Sequence, residues 1–156
     1  MPFSLAMNRR AALIGLAAFT ISGTQSVARS PEIYTGILSS TAAGGYDPVA
    51  YFRDGKPVIG KSDITWTWRR ATWRFASAAN RETFKQKPES YAPAYGGYCA
   101  WAVSQGYTAK GDPRHWKIVG GKLYLNYDAG VQATWEKDVP GNISKADENW
   151  PKVLDK

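Results

Sequence analysis

The hydrophobic pattern of the chain changes period several times, and each change marks an element. Between residues 63 and 75, Ile64, Trp66 and Trp68 alternate with Asp63, Thr65 and Thr67, and Trp73 and Phe75 stand either side of Arg74. A period of two on both sides of Arg69-Arg70 predicts a hairpin with one covered face, so Trp66, Trp68, Trp73 and Phe75 are expected to be buried. Ser77 is placed to cap a helix from Ala78 to about Gln86 with Phe84 inward, and Pro88 closes it. Trp116 to Val119 and Leu123 to Tyr127 flank Gly120-Gly121-Lys122, which reads as a second hairpin on a glycine turn.

The segments around the hairpins read as short helices and turns. Residues 98 to 105 predict a short helix stopped by Gly106. Val131, Trp135 and Val139 recur every four residues, as on one helix face, and Pro140-Gly141 is expected to break that helix. Ile143, Ala146, Trp150 and Val153 form the inner stripe of a last one. Tyr46 to Phe52 reads as a turn into a short strand, and residues 29 to 45 as an extended lead-in. The fold class is α+β: one domain over residues 46–154, two small antiparallel hairpins covered by short helices, with no internal repeat evident.

The first 28 residues follow a different pattern. Met7-Asn8-Arg9-Arg10 is a positive start, Ala11 to Ser22 a short apolar run, and Ser26-Val27-Ala28 supplies the small residues a signal peptidase reads. About a dozen apolar residues fall short of the roughly 20 needed to span a bilayer. The segment predicts an exported, periplasmic protein cleaved near Ala28 and no integral membrane protein after cleavage. The paired arginines are similar to a twin-arginine signal, although Ala follows them and no Lys closes the motif; an ordinary Sec signal fits the same segment.

Composition narrows the function classes. The chain is 44% hydrophobic and 13% aromatic, a composition that builds a core rather than a disordered segment. Its formal charge is +7, but Arg9 and Arg10 belong to the signal and the remaining Lys and Arg are scattered among acids. Arg69-Arg70 is the one tight basic run, and it falls in a turn. No basic stripe marks a nucleic-acid surface. One cysteine, Cys99, excludes an intramolecular disulfide. Both methionines, Met1 and Met7, precede the cleavage point, leaving one Cys and one His, His115, as soft or imidazole ligands. That supply builds neither a copper(I) nor a structural zinc site, so no metal and no cofactor is expected. No Walker loop, Gly-Xaa-Ser-Xaa-Gly elbow or His-Glu-Xaa-Xaa-His occurs.

A family resemblance rests on Trp73-Arg74-Phe75-Ala76-Ser77-Ala78-Ala79-Asn80 followed by Phe84, Pro88 and Tyr91. This spacing resembles the YHS domain, and Asp47-Pro48-Val49 is similar to that module's opening. The resemblance implies a small α+β module. Where metal-associated members carry cysteines, this chain has Ala50, Ala76 and Asn80, so the metal chemistry does not carry over. Gly96-Gly97-Tyr98-Cys99-Ala100 and Leu123-Tyr124-Leu125-Asn126-Tyr127 resemble an exported bacterial subgroup of the family. Some members of that subgroup hold selenocysteine at the place of Cys99, which implies a redox-active chalcogen there.

The candidate chemistry is therefore concentrated at Cys99. If Gly96-Gly97 start a helix, the thiol lies in or near its first turn, where the free N–H groups and the dipole lower a thiol pKa. The opposing reading is a packed, inert thiol, because Cys99, Ala102 and Val103 also form an apolar stripe. His115, in a turn entering a strand, reads as an exposed polar residue. Two functions from different classes follow. One is a single-thiol redox role at Cys99, with a small thiol or a periplasmic redox partner resolving the oxidised form. The other is a non-enzymatic module that binds a small ligand or a protein. A metal carrier is opposed by the ligand supply.

Overall fold

The structure is a computed structural model that describes residues 28–155. The signal-peptide reading, apart from Ala28, lies outside the described residues. The α+β class stands: two separate two-stranded antiparallel sheets are covered by short helices. The first sheet pairs β1 (Lys61–Trp68) with β2 (Ala71–Phe75), and the second pairs β3 (Asp112–Val119) with β4 (Lys122–Asn126). The helices are α1 (Ala50–Arg53), α2 (Ala78–Gln86), α3 (Pro88–Tyr91), α4 (Ala100–Ser104), α5 (Ala129–Trp135) and α6 (Val139–Asn149). Among the described residues no helix is long and apolar enough to cross a membrane.

The fold contains an internal repeat that the sequence reading missed. Each half runs from a 3-10 turn (Ala42–Gly45; Ala94–Gly97) through a short helix and a hairpin to a capped helix. The two hairpins share a register. Trp66 faces Trp73 as Lys117 faces Tyr124, Trp68 faces Ala71 as Val119 faces Lys122, and both ladders shift near their first residues. Isolated bridges correspond too: Tyr46 with Ile59, Tyr98 with Lys110. Asp47 N–H donates to Val58 O at 2.8 Å, and Cys99 N–H to Ala109 O at 2.9 Å. Ser77 caps α2 by accepting from Asn80 N–H, and Asp128 caps α5 by accepting from Val131 N–H. Trp73 lies 5.0 Å from Phe84 at 35°, and Tyr124 lies 5.5 Å from Trp135 at 36°. A repeat of about fifty residues, each copy unable to bury its sheet alone, explains why two small sheets make one body.

Several local expectations are corrected. Residues 50–53, read as strand, form α1, because Asp47 accepts from Val49 N–H at 2.8 Å and turns the chain into a helix. The lead-in is part of the fold rather than a tail: Ile33 is buried, Ser30 N–H donates to Leu154 O, and Tyr34 N–H donates to Gly96 O. Pro140-Gly141 does not end a helix but starts one, with Pro in the first turn of α6 and Asp138 accepting from Gly141 N–H. Trp73 and Phe75 are fully buried, whereas Trp66 is 41% exposed. Among the described residues strand β1 has no strand on its outer side, and Lys85 Nζ stands over the Trp66 ring, 4.6 Å from its centre.

Of three apolar clusters among the described residues, one joins Tyr51 of the first repeat to Leu123 and Leu125 of the second, and the other two lie mainly within one repeat each. One gathers Trp73, Phe75, Phe84 and Val49 around the first sheet. The other gathers Tyr95, Tyr98, Val103, Tyr124 and Trp135 with Ala146, Val153 and Leu154 from the C-terminal segment. Helix α6 follows α5 as the short α3 follows α2, each with Pro in its first turn, but α6 runs on for 11 residues and, with the turn after it, covers the second repeat.

Candidate functional site

Cys99 stands one residue before α4, as its N-cap, with φ −59° and ψ 117°. Gly96 and Gly97, with φ +62° and +86°, turn the chain into this position, as the sequence suggests. The side chain is 1% exposed. Burial pushes its pKa up; the N–H groups of Ala102, Tyr127 and Trp101 pull the other way, and Asp128 adds to the rise. None of these N–H groups makes a short capping bond to sulfur, so burial wins and the expected lowering is reversed. The thiol donates to Asn126 Oδ1 at 3.7 Å, and the same oxygen accepts from Trp101 N–H at 3.2 Å.

The repeat assigns Cys99 a counterpart. Asp47 occupies the same place in the first half and is fully buried. Its carboxylate accepts from Val49 N–H at 2.8 Å, Ala76 N–H at 2.8 Å and Asn80 Nδ2 at 2.7 Å. Ala76 and Asn80 are two of the positions where the YHS resemblance places cysteines; here both serve Asp47. Ala50, the third, is buried in α1. Among the described residues no group of three or more His, Cys, Asp and Glu is placed to hold a metal. His115 lies half-buried within β3.

A separate cleft of about 340 Å³ lies where the two repeats meet. Its walls are aromatic (Trp68, Tyr95, Tyr124, Trp150) and charged (Glu32, Arg69, Glu89, Lys122, Asp147). Arg69 lies 4.5 Å over the Trp68 ring and pairs with Glu32 and, at 2.8 Å, with Glu89. Tyr95 donates its hydroxyl to Asp147 Oδ1 at 2.8 Å; burial first, and then this carboxylate, raise the phenol pKa. Lys122 has no ion pair among the described residues. Arg69 and Tyr95 both have φ near +50°, at +48° and +55°, a region costly for residues with a Cβ. A second cavity of about 600 Å³ adjoins the first through Glu32, Ile33 and Arg69.

The sequence reading missed this cleft. Its residues come from the lead-in, the first hairpin turn, the loop before α4, β4 and α6, and no local motif joins them. The one available signal was the recurrence of Gly-Gly-Tyr at residues 44–46 and 96–98, which marks the repeat and hence its junction. In comparisons with family models, curated proteins and solved structures, none matches the chain.

Proposed function

We propose that the chain is an exported, non-enzymatic binding module, YHS-like in its repeat unit, that takes a small ligand in the cleft between its two halves. The observation that carries this reading is the lining of that cleft, where the rings of Trp68, Tyr124 and Trp150 stand beside Lys122, a cation with no ion pair among the described residues. The cleft volume falls in the range of small-molecule sites. Trp68 and Trp150 offer faces to a planar or apolar body, and Lys122, without a protein carboxylate, suits an acidic group on it.

The test is a screen of small aromatic and aliphatic acids against the full chain, followed by tryptophan fluorescence and by amide shifts in NMR. A saturable ligand should shift Tyr95, Gly96 and Lys122, and Trp150→Ala and Lys122→Ala should each weaken it about tenfold, the worth of one good contact. Saturable binding that shifts only residues remote from the cleft would sink the proposal.

A turnover thiol at Cys99 is the second reading, favoured by the backbone N–H groups around sulfur. Resolution by a partner requires the oxidised sulfur to meet another sulfur, and a 1% exposed side chain presents no surface for that meeting.

A further inference from the structure

We infer that the turn carrying Ile37 and Leu38, with Arg70 beside it, is a docking surface for an anionic phospholipid bilayer. The inference stands apart from the cleft ligand, since neither the turn nor Arg70 lines that cleft. Residues 33 to 45 hold no charged side chain, and in their midst Ile37 and Leu38 follow Gly36, whose φ of +84° turns the chain. Both are 99% exposed, the most exposed large apolar side chains among the described residues. Single exposed apolar residues are ordinary on a folded surface; two neighbours wholly outside the core call for a partner.

The fold sets this turn beside cations. Thr72 N–H donates to Ser40 O at 2.7 Å and Thr41 bridges Thr72, which fastens the chain after the turn next to the Arg69-Arg70 end of the first hairpin. Thr35, Ser39 and Ser40, from the two sides of the turn, line the cavity of about 600 Å³ together with Arg29, Arg69 and Arg70. Glu32 is the one carboxylate in that lining, and Arg69 holds it. Arg29 pairs with Asp155 at 3.0 Å. Arg70 is exposed and has no ion pair among the described residues. A protruding aliphatic pair therefore stands beside hydroxyls and an uncommitted guanidinium.

Shape and charge together select the occupant. At a bilayer surface aliphatic side chains enter the acyl boundary, while guanidinium groups stay at the headgroups and donate to phosphate oxygens. Anionic lipid adds a surface potential that draws the cation in. A second copy fits poorly, because twofold pairing through this face sets the arginines of one chain against those of the other. The course of the chain agrees with a membrane. Residues 1–28 join the fold at Arg29, in the lining of this same cavity, so the apolar run Ala11 to Ser22 is tethered to the face that carries the turn.

The experiment attaches an environment-sensitive dye to Ser40→Cys in the full chain; Cys99 is buried, so the dye goes to position 40. The labelled chain is titrated with vesicles of phosphatidylcholine alone and with vesicles of phosphatidylcholine mixed with phosphatidylglycerol. Emission should shift to the blue with the mixed vesicles and far less with phosphatidylcholine. A dye on Lys61→Cys, at the other end of the same hairpin where Lys61 pairs with Phe75, should not respond. Arg70→Gln should weaken the titration about fivefold, the worth of one arginine at an anionic surface. Ile37→Ser with Leu38→Ser should weaken it on the order of a hundredfold, from two aliphatic side chains that no longer leave water. All three positions are exposed, so the core is undisturbed in either variant. Membrane binding through the apolar run alone would leave the dye at position 40 silent, and that result would overturn the inference. So would an equal response to both vesicles, or a response at position 61 as large as at 40. A shift that grows with chain concentration in the absence of lipid would overturn it in favour of a second copy.

Discussion

At the scale of the residue, the fold uses buried and half-buried carboxylates as fasteners. Asp112 is the one whose titration has a clear direction. Its oxygens accept from Arg114 N–H at 2.9 Å, from Nε at 3.0 Å and from Nη2 at 2.6 Å, and its side chain is 13% exposed. The Arg114 guanidinium holds its carboxyl down at about 2. A carboxyl whose folded pKa lies below its unfolded value stabilises the fold fully above pH ~4, and that contribution disappears as pH falls towards 2. Asp112→Asn should therefore be less stable than the parent above pH 5 and show a shallower acid slope between pH 4 and 2. Urea unfolding across that range measures it, and parallel curves would refute the assignment. What was legible at this scale was the identity of the interesting residue, Cys99, and the glycines that place it. Its burial was one of the two readings, signalled by the apolar stripe of Cys99, Ala102 and Val103, all buried; its contact with Asn126 was not legible, because the strand carrying that residue approaches from the far end of the repeat.

At the scale of the element, the two hairpin turns solve one geometric problem with different residues. The second uses Gly120-Gly121, at φ +57° and +75°; the first uses Arg69-Arg70, at +48° and +64°. Both central residues with positive φ match the twist of the flanking strands, and glycine adopts this without a Cβ penalty. Arg69 has its cleft contacts to offset the strain. Arg70 makes no ion pair among the described residues, so Arg70→Gly should raise stability by about 1 kcal/mol, read from the urea midpoint; a lower midpoint would show that Arg70 makes a contact worth more than its strain. Helix α2 was readable from its Ser77 cap, its inward Phe84 and Pro88. The break between α5 and α6 was not, because Pro140 is equally at home after one helix and in the first turn of the next, and only the Asp138 cap decides between them.

At the scale of the whole molecule, the repeat explains both the class and the cleft. Sequence pattern alone made the α+β class and the two hairpins visible, since period-two aromatics and turn glycines are local signals. It did not show that the hairpins correspond, because the equivalent positions hold different residues, Trp73 and Tyr124, Phe84 and Trp135, Asp47 and Cys99, which share burial but not identity. The lead-in adds a connection that neither repeat contains. Ser30 N–H reaches Leu154 O at 2.8 Å, and Arg29 Nε reaches Asp155 at 3.0 Å, so the arm from residue 29 to 34 is fastened at the opposite end of the described chain. Within each repeat the contacts are short in sequence and form early; this arm closes a loop around both and bears the largest closure entropy, so it docks last and releases first. Hydrogen exchange followed by mass spectrometry should show residues 29–34 exchanging well before the hairpins, and equal protection would argue against that order. Glu32 and Ile33 are wall residues of both cavities. The arm therefore acts as a kinetic latch: the cleft is complete only while it is docked, and any ligand that fills the cleft must slow the arm's release.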